Sequence, residues 1–170
     1  MVSAAETLDG RVARAWDVLA GVPDPEVPAL SLVDLGVVRG VRATDEGLEV
    51  DLTPTYTGCP ATAAIALDAA TALEREGLGP VRIVMVHAPA WTTDWIGPAA
   101  REKLRAYGIA APVGAAPKGK RALFAADADP ACPRCGAARV EKTSEFGSTA
   151  CKALYRCLAC REPFEYFKCI

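Results

Sequence analysis

Six of the seven cysteines, Cys132, Cys135, Cys151, Cys157, Cys160 and Cys169, crowd the last 40 of 170 residues. Among them, Cys132-Pro-Arg-Cys135 and Cys157-Leu-Ala-Cys160 are two C-x2-C pairs with 21 residues between them. A tight turn brings both sulfurs of a pair to one cation, and two such turns complete a tetrahedron with metal–sulfur distances of about 2.3 Å. The spacing reads as a site for structural Zn2+ with Cys132, Cys135, Cys157 and Cys160 as ligands. Bound metal contributes folding free energy directly, which suits a module too small to fold on its own core. A rubredoxin-like iron ion satisfies the same spacing. Cys151 and Cys169 fall outside the pairs and read as bystanders, alternative ligands or thiols that meet a transferred metal.

The seventh cysteine stands alone in Thr55-Tyr-Thr-Gly-Cys59-Pro60, ahead of an Ala-rich stretch of high helix propensity. Pro60 suits the first helical position, which places Cys59 at or near the N-cap. Unpaired N–H groups and the positive end of the helix dipole favour a thiolate there, so a lowered pKa and a reactive or metal-binding thiol are expected. A small buried cysteine at the helix start satisfies the same residues. Asp24 and Glu26 flank Pro25 and can either supply carboxylates to Cys59 or form a solvated turn with an Asx cap. His87 is the sole imidazole; beside Cys59 it would make a Cys–His nucleophile, and elsewhere it is a loop or capping histidine. Trp91 and Trp95, with Asp94 and Arg101, read as a packed cover over a sheet or as a partner surface.

The elements that must position these groups follow from periodicity. Leu8, Val12, Ala15, Trp16 and Leu19 recur at helical spacing up to the stop at Gly21. Three prolines in 22–28 demand a loop. Segments 36–42 and 48–53, joined by Thr44-Asp-Glu-Gly47, read as a hairpin, because Leu48, Val50 and Leu52 alternate with polar residues. A helix from about residue 60 to Glu76 buries Ile65, Ala69, Ala72 and Leu73, and Ile83, Val84 and Met85 mark a buried third strand. A last helix covers about 98–107. The order gives a right-handed βαβ crossover joined to a hairpin, hence an α/β fold: a small α-β-β-α-β-α sandwich with helices on one face, followed by a C-terminal zinc ribbon. The domain reading is 1–107 for the α/β domain, 108–130 for an Ala/Pro/Gly linker and 131–170 for the ribbon. Short ribbon strands are expected at 138–142, 153–155 and 164–167.

Composition narrows the function classes. With 51% hydrophobic and 24% charged residues and a net charge of −2, the chain reads as globular, neither disordered nor fibrous. No apolar run approaches the ~18 residues of a membrane span, so no membrane association is expected. The acidic start with Glu6 and Asp9 is unlike a secretory signal, so a cytoplasmic location with metal-binding rather than disulfide-bonded thiols is expected. The ribbon carries seven Lys/Arg against four Asp/Glu, formally +3, and residues 1–130 sum to −5. A cation held by four thiolates lowers the ribbon to about +1, too weak a field for nucleic-acid phosphates.

The segments Asp24-Pro-Glu26, Leu32-Val-Asp-Leu-Gly36, Thr55-Tyr-Thr-Gly-Cys-Pro60 and Trp91-Thr-Thr-Asp-Trp95 resemble the iron–sulfur assembly family that includes SufT-like proteins. Phe146-Gly-Ser-Thr-Ala-Cys-Lys-Ala-Leu-Tyr-Arg-Cys157, running into Glu162-Pro-Phe164, resembles the PaaD (PaaJ)-like accessory family of bacterial phenylacetate degradation. The resemblance covers nearly the whole chain. It implies an accessory or maturation subunit for the 1,2-phenylacetyl-CoA epoxidase, a non-catalytic role in which Cys59, supported by Asp24 and Glu26, handles iron or an iron–sulfur cluster transiently. The implied partners are the diiron oxygenase subunits and the flavin and 2Fe–2S reductase, and a homodimer is left open. The sequence contains neither a Glu-x-x-His pair for a diiron site nor a Gly-rich dinucleotide fingerprint. The alternative is a thiol-dependent thioester enzyme using Cys59 and His87.

Overall fold

The computed structural model describes residues 7–114 and 129–169, which fall into two compact units divided between Ala90 and Trp91. In the first unit, helix α1 (Leu8–Ala20) starts where the Thr7 hydroxyl accepts the Gly10 N–H at 3.2 Å, and it buries Ala15 and Leu19. Strands β1 (Val38–Thr44) and β2 (Gly47–Leu52) form an antiparallel hairpin turning at Asp45-Glu46. Helix α2 (Thr62–Arg75) crosses over to β3 (Val81–Met85), which pairs parallel to β2. The α-β-β-α-β order is the one the periodicity predicts.

Alternation along β2 divides the faces of this sheet. Leu48, Val50 and Leu52 lie opposite Val81, Ile83 and Met85 on β3, giving an apolar face, while Glu49 and Asp51 point the other way and pair with Arg42 of β1. Helix α1 packs on β1, α2 on β3, and the helices on each other, so both cover the apolar face. The sheet order is β1-β2-β3. This corrects the expectation for the third strand: β3 is an edge whose apolar residues are only half-buried, and the strand whose apolar residues are buried is the central one, β2. The helices are tied to each other through backbone carbonyls. Arg14 donates to Glu76 O at 2.8 Å and Arg11 to Leu78 O at 3.3 Å, placing two cations at the negative end of α2.

The second unit holds a short 3-10 turn (Thr93–Trp95), helix α3 (Pro98–Tyr107) and a four-stranded sheet of β4 (Ile109–Ala110), β5 (Val140–Ser144), β6 (Lys152–Cys157) and β7 (Pro163–Phe167) in the order β4-β7-β6-β5. The sequence reading assigns α3 to the α/β domain and begins a linker at 108; the structure groups α3, and Ile109 and Ala110 after it, with the ribbon. β4 pairs parallel to β7, α3 packs on β4, and the buried Trp91 ring lies 6.2 Å from Phe167 of β7. Arg101 reinforces this grouping by donating to Ile96 O at 3.0 Å, Thr93 O at 3.1 Å and Pro112 O. The part of the expected linker from 115 to 128 lies outside the described residues. The three ribbon strands expected from sequence are present, each shifted or extended by a few residues.

Gly47 sits where the hairpin meets the segment leading into β3. A Cβ there would lie 2.1 Å from Pro80 O, the same carbonyl that accepts the Leu48 N–H at 2.9 Å. Gly47→Ala is therefore expected to destabilise the first unit by about 2–3 kcal/mol. Urea unfolding followed by helix content should show the lowered midpoint, and an unchanged midpoint would refute the close approach.

Candidate metal centre and the Cys59 turn

Two turns build the thiol cluster, and they share one backbone design. In the first, Cys132 N–H donates to Ala137 O at 3.0 Å and Gly136 has a positive φ of 75°. In the second, Cys157 N–H donates to Glu162 O at 3.0 Å and Arg161 has a positive φ of 67°. Each turn thus reverses at the residue after its second cysteine. The 21-residue separation is spanned largely by the β5–β6 hairpin, in which Val140 lies opposite Cys157 and Leu158 N–H donates to Arg139 O at 2.9 Å. Strand pairing, not the loop length, sets the two turns side by side.

The result is a cluster in which the four Sγ atoms lie within 4.8 Å of one another. Four sulfurs at about 2.3 Å from one cation span tetrahedral edges of about 3.8 Å. The distances Cys132 Sγ–Cys160 Sγ and Cys135 Sγ–Cys157 Sγ are 3.8 and 3.6 Å, so the donor set fits a single tetrahedral ion. Cys132 and Cys157 are buried while Cys135 and Cys160 are exposed. The sulfurs also compete for charge. N–H groups of Cys160 and Ala159 hold the Cys157 thiol down at about 6. The Glu162 N–H favours a thiolate at Cys160 too, but desolvation and the sulfurs of Cys157, Cys135 and Cys132 outweigh it and push that thiol up to about 12. A cation resolves this conflict by taking all four as thiolates.

Cys151 and Cys169, read as alternative ligands, lie outside the cluster. Cys151 is buried with its sulfur 3.0 Å from Thr149 Oγ1, and the Cys169 thiol donates to Val113 O at 3.3 Å.

Cys59 lies near the start of α2, as the sequence suggests, but does not cap it. The cap position of α2 is Ala61, two residues later, and Cys59 occupies the preceding turn, its N–H bonded to Tyr56 O at 3.2 Å and its carbonyl taken by the Thr62 hydroxyl at 2.8 Å. The thiol is 9% exposed. Burial pushes its pKa above the ordinary value; hydrogen bonds from the Ala61 N–H and the Thr62 hydroxyl pull it down, while the Glu26 and Asp24 carboxylates add to the rise. The expected lowering is thus reversed, because desolvation and two nearby anions exceed what the helix start supplies. Asp24 also serves its own loop: buried, it accepts the Glu26 and Val27 N–H groups at 2.9 and 2.8 Å. His87 is exposed after β3 and is not among the groups shifting the Cys59 thiol.

Two features leave no mark that sequence reasoning can use. The left-handed backbone at Arg161 gives no signal in C-x2-C-R, whereas Gly136 gives one in C-x2-C-G. The clasp of Arg101 on three carbonyls looks, in sequence, like any helix-surface arginine.

An α/β unit bearing a buried thiol in a turn, followed by a four-thiolate ribbon, defines a two-part class whose halves are each matched by a family model. Residues 13–88 match "Iron-sulfur cluster assembly protein" and residues 116–168 match "PaaD zinc beta ribbon domain". Over 160 residues, 94% of each chain, the sequence is 48% identical to a subunit of the Escherichia coli (strain K12) "Putative 1,2-phenylacetyl-CoA epoxidase". The chain belongs to that protein's family, the PaaD (PaaJ) family. The crystal structure of a domain of unknown function, DUF59, from Bacillus anthracis covers 57% of this chain and 93% of its own at a TM-score of 0.53 and 24% identity, which places the fold alone. Among the described residues no helix is long and apolar enough to cross a membrane.

Chelating the ion at pH 7 is expected to unfold the ribbon sheet and leave the first unit's helices intact, as are Cys132→Ser and Cys160→Ser; metal analysis with circular dichroism reads both. Affinity should fall steadily as pH is lowered, because binding must displace thiol protons, most of all at Cys160. Alkylation of Cys59 at pH 7 should be slower than that of a free peptide thiol, and Glu26→Gln should speed it about three-fold by removing a nearby anion. A faster wild-type rate would contradict the raised pKa. Since the folded state keeps Cys59 protonated, its contribution to stability is present below 9.0, the ordinary value, and is lost as pH rises toward the folded one.

Proposed function

We propose that the chain is a non-catalytic accessory subunit of the phenylacetyl-CoA epoxidase system in phenylacetate degradation, assisting insertion of iron or an iron–sulfur cluster into an epoxidase component. The observation that carries this reading is 48% identity across 94% of both chains to a protein named as part of that epoxidase, with the iron–sulfur assembly match covering the residues around Cys59. The thiol's surroundings support a transient role. Among the described residues, the ribbon cysteines are the group able to surround a metal with three or more His, Cys, Asp or Glu ligands. Cys59 can offer one thiolate with Asp24 or Glu26 nearby, a set too poor to retain a cation and suited to passing one on.

The same surroundings disfavour the thioester enzyme. A nucleophilic thiol needs a base and a lowered pKa, whereas burial pushes the Cys59 pKa up and the carboxylates of Glu26 and Asp24 add to the rise. We assign structural Zn2+ to the ribbon. Sulfurs within 4.8 Å of one another suit one ion, and a multi-iron cluster would spread its thiolates over several metals. The clients in this reading are the diiron oxygenase subunits or the flavin and 2Fe–2S reductase.

Epoxidase components synthesised without this chain are expected to be low in iron or cluster, and equally low when it is supplied as Cys59→Ala. Adding iron, sulfide and the wild-type chain should restore metal content and activity. Fully metallated components in its absence would remove the accessory reading.

A further inference from the structure

Phe146 is 63% exposed, and single exposed apolar side chains are ordinary on protein surfaces. What sets this one apart is how firmly its loop is held. The Ser144 hydroxyl both accepts the Phe146 N–H at 3.2 Å and donates to Phe146 O at 2.7 Å. One residue on, Gly147 N–H donates to Lys152 O at 2.7 Å, and Ser148 N–H donates to Glu165 Oε1, also at 2.7 Å. Glu165 is itself fixed by the buried Lys152 ammonium, 2.9 Å from its other oxygen. Burying an ion pair costs desolvation and adds little net stability, so this pair is better understood by what it orders. Here it orders the loop that carries Phe146.

The ring is also backed by charge. The Lys168 ammonium lies 4.5 Å from its centroid and reaches the Glu145 carbonyl at 3.1 Å. Glu145 is shared between Lys142 at 3.1 Å and Lys168 at 3.9 Å, so these three side chains carry one net positive charge, with Lys168 as the member that lies against the ring. A rigid aromatic side chain lost from solvent on association carries little ordering cost, which is the property of an interface anchor.

We propose that Phe146 is the ribbon's docking anchor, inserting into an apolar pocket rimmed by carboxylates on the epoxidase component that receives metal. The apolar lining matches the ring and the acidic rim matches the excess positive charge beside it. This rests on the accessory reading above and names the surface that reading lacks.

The test is direct binding, by calorimetry or biolayer interferometry, of the purified zinc-loaded chain to purified oxygenase subunits and reductase. Phe146→Ala should weaken binding to one component by about thirty-fold or more, and Phe146→Trp should largely retain it. Ser144→Ala, which loosens the loop without touching the ring, should weaken it several-fold. All three variants should keep their zinc and thermal midpoint, since Phe146 is an exposed loop residue and Ser144 a half-buried one at the very end of β5. Added salt should slow association of the wild type with the acidic rim. Wild-type affinity in Phe146→Ala would overturn the anchor and leave the accessory reading standing; failure of the wild-type chain to bind any component would overturn both. A second copy of this chain is the other occupant to exclude: if light scattering shows a wild-type dimer that Phe146→Ala dissolves, the anchor serves self-association and the proposal falls.

Discussion

The ribbon depends on four sulfurs being brought within single-ion range, an arrangement no set of uncharged thiols would seek by itself. Desolvation and the repulsion between neighbouring thiolates oppose it, most of all at Cys160. A divalent cation turns the opposition into attraction, and the β5–β6 hairpin registers the two turns so that the cation is reached by all four. The apolar cluster beside the thiols is small: Tyr155 contacts Tyr166 edge-on at 5.7 Å and stacks on Phe164 at 5.8 Å, with Ala110, Ala153, Ala137 and Val140 around them. A bound ion would add to this cluster the cohesion that its few side chains supply only in part.

In the first unit the governing balance is between burial and helix-end electrostatics at Cys59. A thiol drawn into the fold beside two carboxylates is a protonated thiol at neutral pH, whatever the adjoining helix contributes. Such a thiol is a poor nucleophile, and in the proposed role its sulfur becomes available to a cation only as the proton is displaced. The loop carrying Asp24 is no passive turn. Asp24 closes Pro25-Glu-Val27 with one oxygen while its charge is felt at the thiol, so loop conformation and thiol chemistry are coupled through one side chain.

Much of this is legible in the sequence, and the parts that are not share a cause. The hairpin declares itself through Leu48, Val50 and Leu52, and the thiol cluster through two C-x2-C pairs, because both patterns are local and periodic. The rigid Pro25 loop draws the eye to the two acids on either side of it. Whether a strand is central or an edge is not local: Ile83 and Val84 look buried by composition, and only the order β1-β2-β3 leaves them half-covered. The division at residue 90 is hidden because Leu104 and Trp91 carry no mark of which sheet they will meet. The direction of the Cys59 shift is hidden too, since a cap position two residues further on and the depth of burial are properties of packing rather than of spacing.

One consequence concerns how the metal leaves. Each turn contributes one buried and one exposed sulfur, so an incoming thiol or chelator meets Cys135 and Cys160 before it can reach Cys132 and Cys157. Exchange would therefore engage Cys135 and Cys160 first, while Cys132 and Cys157, one from each turn, would still hold the ion and keep the two loops joined. The buried pair would thus act as a stitch that lets the module trade an ion as a folded body.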